Sequence, residues 1–435
     1  MAPITRCYGD AAFAFDPRTR SSLFVEGSLA SIILDAINAR TLELPTAQQL
    51  SEYSPSQREE LHQEWNRLLP QIRSFLNEQE SQSSGSNEGS APDAIRELSR
   101  FAADHWQLMT VNLELTSRCN QRCSVCYLDD FGNYGLSRPH LQRIARTLRD
   151  ANALFALFTG GEVFTRRDAT SVMADFADAG FILEIKSNGT LLTEQTIAEL
   201  SFLPLWDVQI SIYEPNDGWS DWTRTTYPLN RIESNVRNMV ERKLPVTLSV
   251  LVGKHNVTQL SAIHQQLSEW GAAVYYSPYI TPNRSGLGSV DAYRLSASEL
   301  RETFGPFLRE IGLFPRSDKY RDCSADGDTI CFAGRDQIAI GPDGLVYPCL
   351  DLRLPLGDLK SEEMDTILSR RKQALETFRF REMSTCRVCE IRDFCDSCIG
   401  VALVENGDYR VPSHHKCDIS HFYNDAPERN TTHEA

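Results

Sequence analysis

The sequence predicts an α/β chain built on a parallel sheet, open or curled into a partial barrel, with a small domain ahead of it and a cysteine-rich region behind it. Three observations carry this expectation. Six apolar runs between 111 and 279 are each separated by a segment able to hold a helix. A polar, Ser/Gly-rich stretch, "NEQESQSSGSNEGSAPD", sets off the first 79 residues as a unit of their own. Eight of the twelve cysteines crowd into 323–417.

At 435 residues the chain is long enough for two or three domains, each with its own core. Its apolar fraction is 41%, and no apolar run approaches the ~18 to 20 residues of a membrane span. The N-terminus "MAPITRCYGDAAF" lacks a basic segment followed by an apolar core, so a cytoplasmic protein is expected. A net charge of -15 argues against a nucleic-acid partner. With no export signal, close-spaced cysteines read as metal ligands rather than disulfides.

In residues 1–79, "AAFAFDPRTRSSLFVEG" reads as two short strands around a turn, and "SLASIILDAINA" as a helix. Helices near 47–53 and 56–78 follow, the second with Leu61, Trp65, Leu68, Leu69, Ile72 and Leu76 at helical spacing. Pro70 is expected to kink or split it. A linker is expected near 78–93, and a linker or bridging segment over 80–104 joins the first domain to the next. The candidate strands of the central domain are 111–115, 153–158, 181–187, 206–212, 246–252 and 273–279, joined by βαβ crossovers. In such folds chemistry gathers at the C-terminal strand ends. Past 320, "QIAIGPDGLVYPC" reads as a hairpin, with Gly344 supplying the turn, and a helix is expected near 361–378.

The chemistry starts at "ELTSRCNQRCSVCYLD", where Cys119, Cys123 and Cys126 stand in C-x3-C-x2-C spacing just after the first strand of the central domain. Three thiolates suit zinc with an open position, or an iron–sulfur cluster with one open iron; spacing alone leaves both standing. The companions are "TGGEVF" after the second strand, "KSNGT" after the third and "SIY" after the fourth. With the cysteine motif and Tyr127, this set resembles the radical S-adenosylmethionine (SAM) superfamily over about 105–290.

That resemblance implies a partial (β/α)6 barrel at 105–310. It implies a [4Fe–4S] cluster on Cys119, Cys123 and Cys126, whose open iron chelates SAM, and a 5′-deoxyadenosyl radical that abstracts a substrate hydrogen. Gly160, Gly161 and Glu162 would then hold the methionine amine. Asn188 and Ser211 would contact ribose or carboxylate, as would Arg224, and Tyr127 would lie at the cofactor. Val163 stands where the family often has proline, and "SNG" where it often has "TNG".

The C-terminal cysteines at 311–435 resemble the SPASM extension of peptide-modifying radical enzymes. This implies two auxiliary [4Fe–4S] clusters with interleaved ligands. Cys323, Cys331, Cys349 and Cys398 would hold one; Cys386, Cys389, Cys395 and Cys417 would hold the other. The final pair is C-x2-C here, where C-x3-C is usual. Structural zinc ribbons are the plain alternative. Cys7 is expected to be a bystander, His414 and His415 surface residues, and Asp129 and Asp130 solvated.

Residues 1–79 resemble the winged-helix-like, PqqD-type element that binds a leader peptide as an added strand, with the edge at Ser22 to Val25. Together the resemblances imply a maturase that cross-links a ribosomally made peptide through thioether or carbon–carbon bonds. They also imply an electron donor such as flavodoxin or ferredoxin, and no nucleic acid or membrane partner. Peptide epimerisation, sulfatase maturation, a small-molecule substrate and a non-enzymatic zinc scaffold are the alternatives.

Overall fold

The computed structural model describes residues 2–43, 45–46, 48, 50–51, 53–77, 91–132, 134–213, 223–224, 229–286, 290–313, 328–395 and 397–425. The first domain opens with three strands rather than two: β1 (Ile4–Tyr8), β2 (Ala11–Phe15) and β3 (Ser22–Glu26), antiparallel in that spatial order. The sequence "ITRCY" hides β1 because a charge sits at its centre. That charge is met from outside the domain, where Arg6 Nη2 donates to the Gly180 carbonyl at 2.8 Å. Every residue of β2 is buried, since both faces of the sheet are covered.

One face of the sheet packs on α1 (Ala30–Ala39) and α2 (Pro55–Asn77), through Ala12, Ala14, Leu23 and Val25 against Ile33, Ile37, Leu61 and Trp65. Helix α2 runs through Pro70 as one element. Pro70 lies on the exposed side, where the carbonyl it releases reaches water, and Leu68 and Ile72 anchor the core side across it. Near 47–53 the described residues Gln48, Leu50 and Ser51 form turns, not a helix.

Part of the expected linker is helical. In α3 (Ala91–Asp104), Ala94, Leu98, Phe101 and Ala102 recur at helical spacing and join a second core with Phe13, Phe15, Met109, Leu154, Phe155 and Ile182. The second face of the N-terminal sheet therefore rests on α3 and on the base of the central domain. Phe15 lies 5.5 Å from Trp206, Phe24 lies 6.1 Å from Phe101, and Arg20 Nη2 donates to the Trp206 carbonyl at 2.5 Å.

The central domain has six consecutive parallel strands: β4 (Thr110–Thr116), β5 (Phe155–Gly160), β6 (Ile182–Ser187), β7 (Leu205–Ile212), β8 (Val246–Leu251) and β9 (Ala273–Ser277). Each lies within two residues of its expected span. Helices α4 (Arg138–Asp150), α5 (Ala169–Asp178) and α6 (Glu194–Leu200), with Leu229–Glu241 and Leu260–Ser268, fill the crossovers. Val111, Leu113, Leu115, Phe158, Leu183, Ile185, Val208, Ile210, Leu248 and Val250 turn outward beneath these helices. By strand alternation Asn112, Glu114, Thr116, Thr159, Glu184, Lys186, Ser211 and Ser249 face the lumen.

The C-terminal region is tied to the same sheet. The expected hairpin forms as β10 (Gln337–Ile340) and β11 (Leu345–Tyr347), and β10 pairs parallel with β4, so the sheet runs β12-β11-β10-β4-β5-β6-β7-β8-β9, with β12 at Gly357–Asp358. The helix expected near 361–378 spans Met364–Leu375. His415 corrects an expectation: in the helix His414–Asn424 it is buried, with Nε2 3.2 Å from the Pro278 carbonyl, and so fastens this helix to the loop after β9. Among the described residues no helix is long and apolar enough to cross a membrane.

Candidate functional site

The loop after β4 carries Cys119, Cys123 and Cys126 at the C-terminal end of the barrel. It folds back tightly, with the Cys126 N–H donating to the Cys123 carbonyl at 3.1 Å. Burial pushes the Cys119 thiol up to about 11 and Cys123 up to about 12; the charges of Glu162 and Cys126 add to the rise at Cys119, and those of Cys126 and Cys119 add to it at Cys123. Three near, desolvated thiols stay neutral unless a cation compensates them. This donor set therefore fits an iron–sulfur cluster. None of the eleven described cysteines is in a disulfide.

The end of β5 locks onto this loop. The Gly161 N–H donates to the Thr116 carbonyl at 2.8 Å, and the Glu162 N–H donates to the Arg118 carbonyl at 2.9 Å. A Cβ on Gly161 would stand 2.2 Å from the Arg118 oxygen; one on Gly160, at φ +116, would stand 2.5 Å from the Thr116 oxygen. The two glycines thus admit the cysteine loop itself, a role beyond the hold on the methionine amine that the resemblance implied.

Glu162 is 1% exposed, and its carboxylate knits two strand ends together. Oε1 accepts from the Phe164 N–H at 3.1 Å and from Ser187 Oγ at 2.8 Å, while Oε2 accepts from the Asn188 N–H at 2.8 Å. One lone-pair site on Oε2 is left for an ammonium. Asn188 is bound on all sides: Nδ2 donates to Asn120 Oδ1, and Oδ1 accepts from the N–H and hydroxyl of Thr190. Asn120, in the cysteine loop, closes the ring by donating to Thr190 Oγ1 at 2.8 Å.

Tyr127 turns inward, its hydroxyl 3.4 Å from the Gly160 carbonyl. Ser211 faces the lumen near the end of β7. Arg224 is exposed beside the cysteine loop, where the neighbouring Thr223 carbonyl accepts from the Arg122 N–H. Two partners were missed in the sequence. Arg284 lies over the Tyr127 ring at 4.8 Å and pairs with buried Glu114 at 2.5 Å; Glu114 also binds Arg353 at 3.1 Å. Tyr213 hydrogen-bonds Cys123. The "SIY" motif held the one available signal for Tyr213; Arg284 lies far along the chain and has none.

The C-terminal thiols fall into two neighbourhoods. Burial raises the thiols of Cys331, to about 12, and of Cys349; the charge of Cys398 adds at Cys331, those of Cys331 and Cys398 add at Cys349, and all three cysteines line one cavity of about 770 Å³. Cys417, likewise raised to about 12 mainly by burial, lies beside Cys395, Cys386 and Cys389. Cys323 lies outside the described residues. The cavity also takes in Asn112 of β4, Tyr275 and Ser277 of β9, and Asp351, so the first trio looks into the barrel lumen.

A partial barrel with this cysteine loop at its mouth, followed by a second cysteine region, defines a radical SAM protein with an auxiliary iron–sulfur domain. Residues 113–265 match the radical SAM superfamily and residues 331–390 match the SPASM iron-sulfur cluster-binding domain. The chain thus carries a radical SAM domain, which binds SAM and a [4Fe–4S] cluster, and a SPASM domain, which binds auxiliary iron–sulfur clusters.

PqqA peptide cyclase of Bradyrhizobium diazoefficiens is 26% identical over 306 residues, 66% of this chain and 79% of that protein. The antilisterial bacteriocin subtilosin biosynthesis protein AlbA of Bacillus subtilis is 22% identical over 395 residues, 85% of this chain and 83% of that protein. Among solved structures, Streptococcus suis SuiB bound to precursor peptide SuiA is similar with a TM-score of 0.63 at 12% identity, covering 94% of this chain and 96% of that one. That last likeness is one of fold.

Proposed function

We propose that this enzyme cross-links side chains of a ribosomally made precursor peptide. The observation that carries the reading is the cavity that Cys331, Cys349 and Cys398 share with Asn112 of β4 and with Tyr275 and Ser277 of β9. When bound, SAM and the clusters supply a hydrogen-abstracting radical and an electron acceptor. A cross-link removes two hydrogens from the peptide: one leaves as an atom, the other as a proton and an electron. An acceptor beside the lumen suits that electron.

The chain's own residues position the reactants. Cys119, Cys123 and Cys126 hold the SAM-binding cluster. Glu162, Ser187 and Asn188 shape the pocket for the methionine end, and Ser211 and Tyr127 border it. Cys323, Cys331, Cys349 and Cys398 hold one auxiliary cluster; Cys386, Cys389, Cys395 and Cys417 hold the second. Epimerisation instead needs a thiol to return a hydrogen, and Cys7, the cysteine outside these groups, packs in the N-terminal domain.

The PqqA cyclase, subtilosin and SuiB likenesses support a peptide substrate. Residues 1–79 serve as the leader-binding element. Strand β3 is at a sheet edge, and its bonds to β2 leave the main-chain groups of Phe24 and Glu26 facing away. The enzyme works in the cytoplasm with a flavodoxin- or ferredoxin-type donor. To test the reading, the chain is incubated anaerobically with SAM, reductant and the peptide encoded by the short open reading frame beside its gene. Mass spectrometry should show loss of two hydrogens and a fragmentation gap between the joined residues. Leaderless peptide should bind more weakly than the full peptide; an unchanged mass would overturn the cross-linking assignment.

A further inference from the structure

The nine-stranded sheet has two ends, and they are finished differently. At one end β12 has two residues, too short to template another strand. At the other end stands β9, five residues "AVYYS" with no charge and no proline, and with Tyr275 55% exposed. Natural proteins guard such edges with charge, proline, bulges or cover, because unpaired N–H and C=O groups recruit other strands. Strand β9 carries none of the first two.

The hydrogen-bond pattern shows which groups are free to pair. Ser277 lies opposite Leu251, and its carbonyl accepts from the Val252 N–H at 2.8 Å. In a parallel ladder alternate residues bond the same neighbour, so Ala273, Tyr275 and Ser277 spend their main-chain groups on β8. The N–H and C=O of Val274 and Tyr276 point the other way and have no partner among the described residues. That edge borders the cavity lined by Cys331, Cys349 and Cys398, to which Val274, Tyr275, Tyr276 and Ser277 all contribute.

We propose that the open edge of β9 binds the core of the substrate peptide as an added parallel or antiparallel strand, through the main-chain groups of Val274 and Tyr276. The proposal rests on the maturase reading and adds to it how the core is held. An added strand would run about 4.8 Å from β9 and present every second side chain to the lumen. Main-chain pairing accepts many sequences, so the edge supplies grip and register while the leader supplies identity. It also fixes which peptide residues reach the reacting centre, since a one-residue slip turns each side chain to the opposite face.

Two measurements on the cofactor-loaded full chain test this, both using the peptide encoded beside the gene. Hydrogen–deuterium exchange with SAM should show the Val274 and Tyr276 amides exchanging quickly without peptide and markedly more slowly with it. A scan of single N-methyl groups along the core should alternate: methyls on residues whose N–H faces β9 weaken binding about five-fold each, and the interleaved ones do not. Amides already protected before peptide is added would overturn the proposal, because another segment then covers the edge. So would bound, cross-linked peptide that leaves these amides unchanged or shows no alternation; the maturase reading would survive that result. No binding and no cross-linking would remove both.

Discussion

Replacing Glu162 with alanine should loosen the SAM pocket by dissolving its frame, beyond any loss of a charge contact. The carboxylate is the common acceptor for the Phe164 N–H, the Ser187 hydroxyl and the Asn188 N–H, at 3.1, 2.8 and 2.8 Å. The hydroxyl can rotate to another acceptor, but the two N–H groups cannot. Each buried, unsatisfied donor costs about 1–3 kcal/mol. Burial also pushes the Glu162 carboxyl upward, so removing it relieves some desolvation and offsets part of that cost. A net loss of about 3 kcal/mol follows, roughly 6–12 °C in Tm for a domain of about 200 residues. Glu162→Gln keeps an acceptor for Phe164 and Ser187 but turns an NH2 towards the Asn188 N–H, so it should fall between alanine and wild type. The assay pairs thermal unfolding of reconstituted enzyme with anaerobic SAM binding and iron analysis. If Glu162 only met the methionine ammonium, both variants would lose SAM affinity equally and melt like wild type. That outcome would refute the framing role.

Gly161→Ala should lower iron content by about a third and abolish SAM cleavage, because its Cβ would meet the Arg118 carbonyl at 2.2 Å in the loop that presents Cys119. Full iron content in that variant would show that the loop can yield. Changing Cys119, Cys123 and Cys126 together to alanine should leave about two-thirds of roughly twelve irons, read by iron and sulfide analysis; four irons with zinc making up the rest would contradict three clusters. Asp336→Asn should stabilise the protein increasingly as pH rises. Burial lifts the Asp336 carboxyl from 3.8 to about 6, so its favourable protonated state is complete below about pH 4 and is lost as pH rises through 6. Relief should reach about 3 kcal/mol at pH 8 and about half that at pH 5, measured by denaturant unfolding.

What the sequence determined by itself was local: six β-type runs at crossover spacing, a three-cysteine loop behind the first, and eight further cysteines in two sets. Strand alternation is a short-range property, so all six central strands could be read from it, whereas the interleaved grouping of the C-terminal thiols came only from the resemblance. What tertiary structure decided depends on residues far apart in the chain. Strand β1 was hidden because the acceptor for Arg6 Nη2 is the Gly180 carbonyl, 174 positions away. Helix α3 looked like linker because its apolar face has no partner until the N-terminal sheet and the barrel base supply one. His415 looked like a surface residue until the Pro278 carbonyl received it. The glycines of "TGGE" were expected at the methionine amine; that they admit the loop at Thr116–Arg118 is visible only once that loop has folded against them. The edge of β9 is of the same kind: every strand is written alike in sequence, and only the assembled sheet shows that β9 and β12 have no further strand beside them among the described residues.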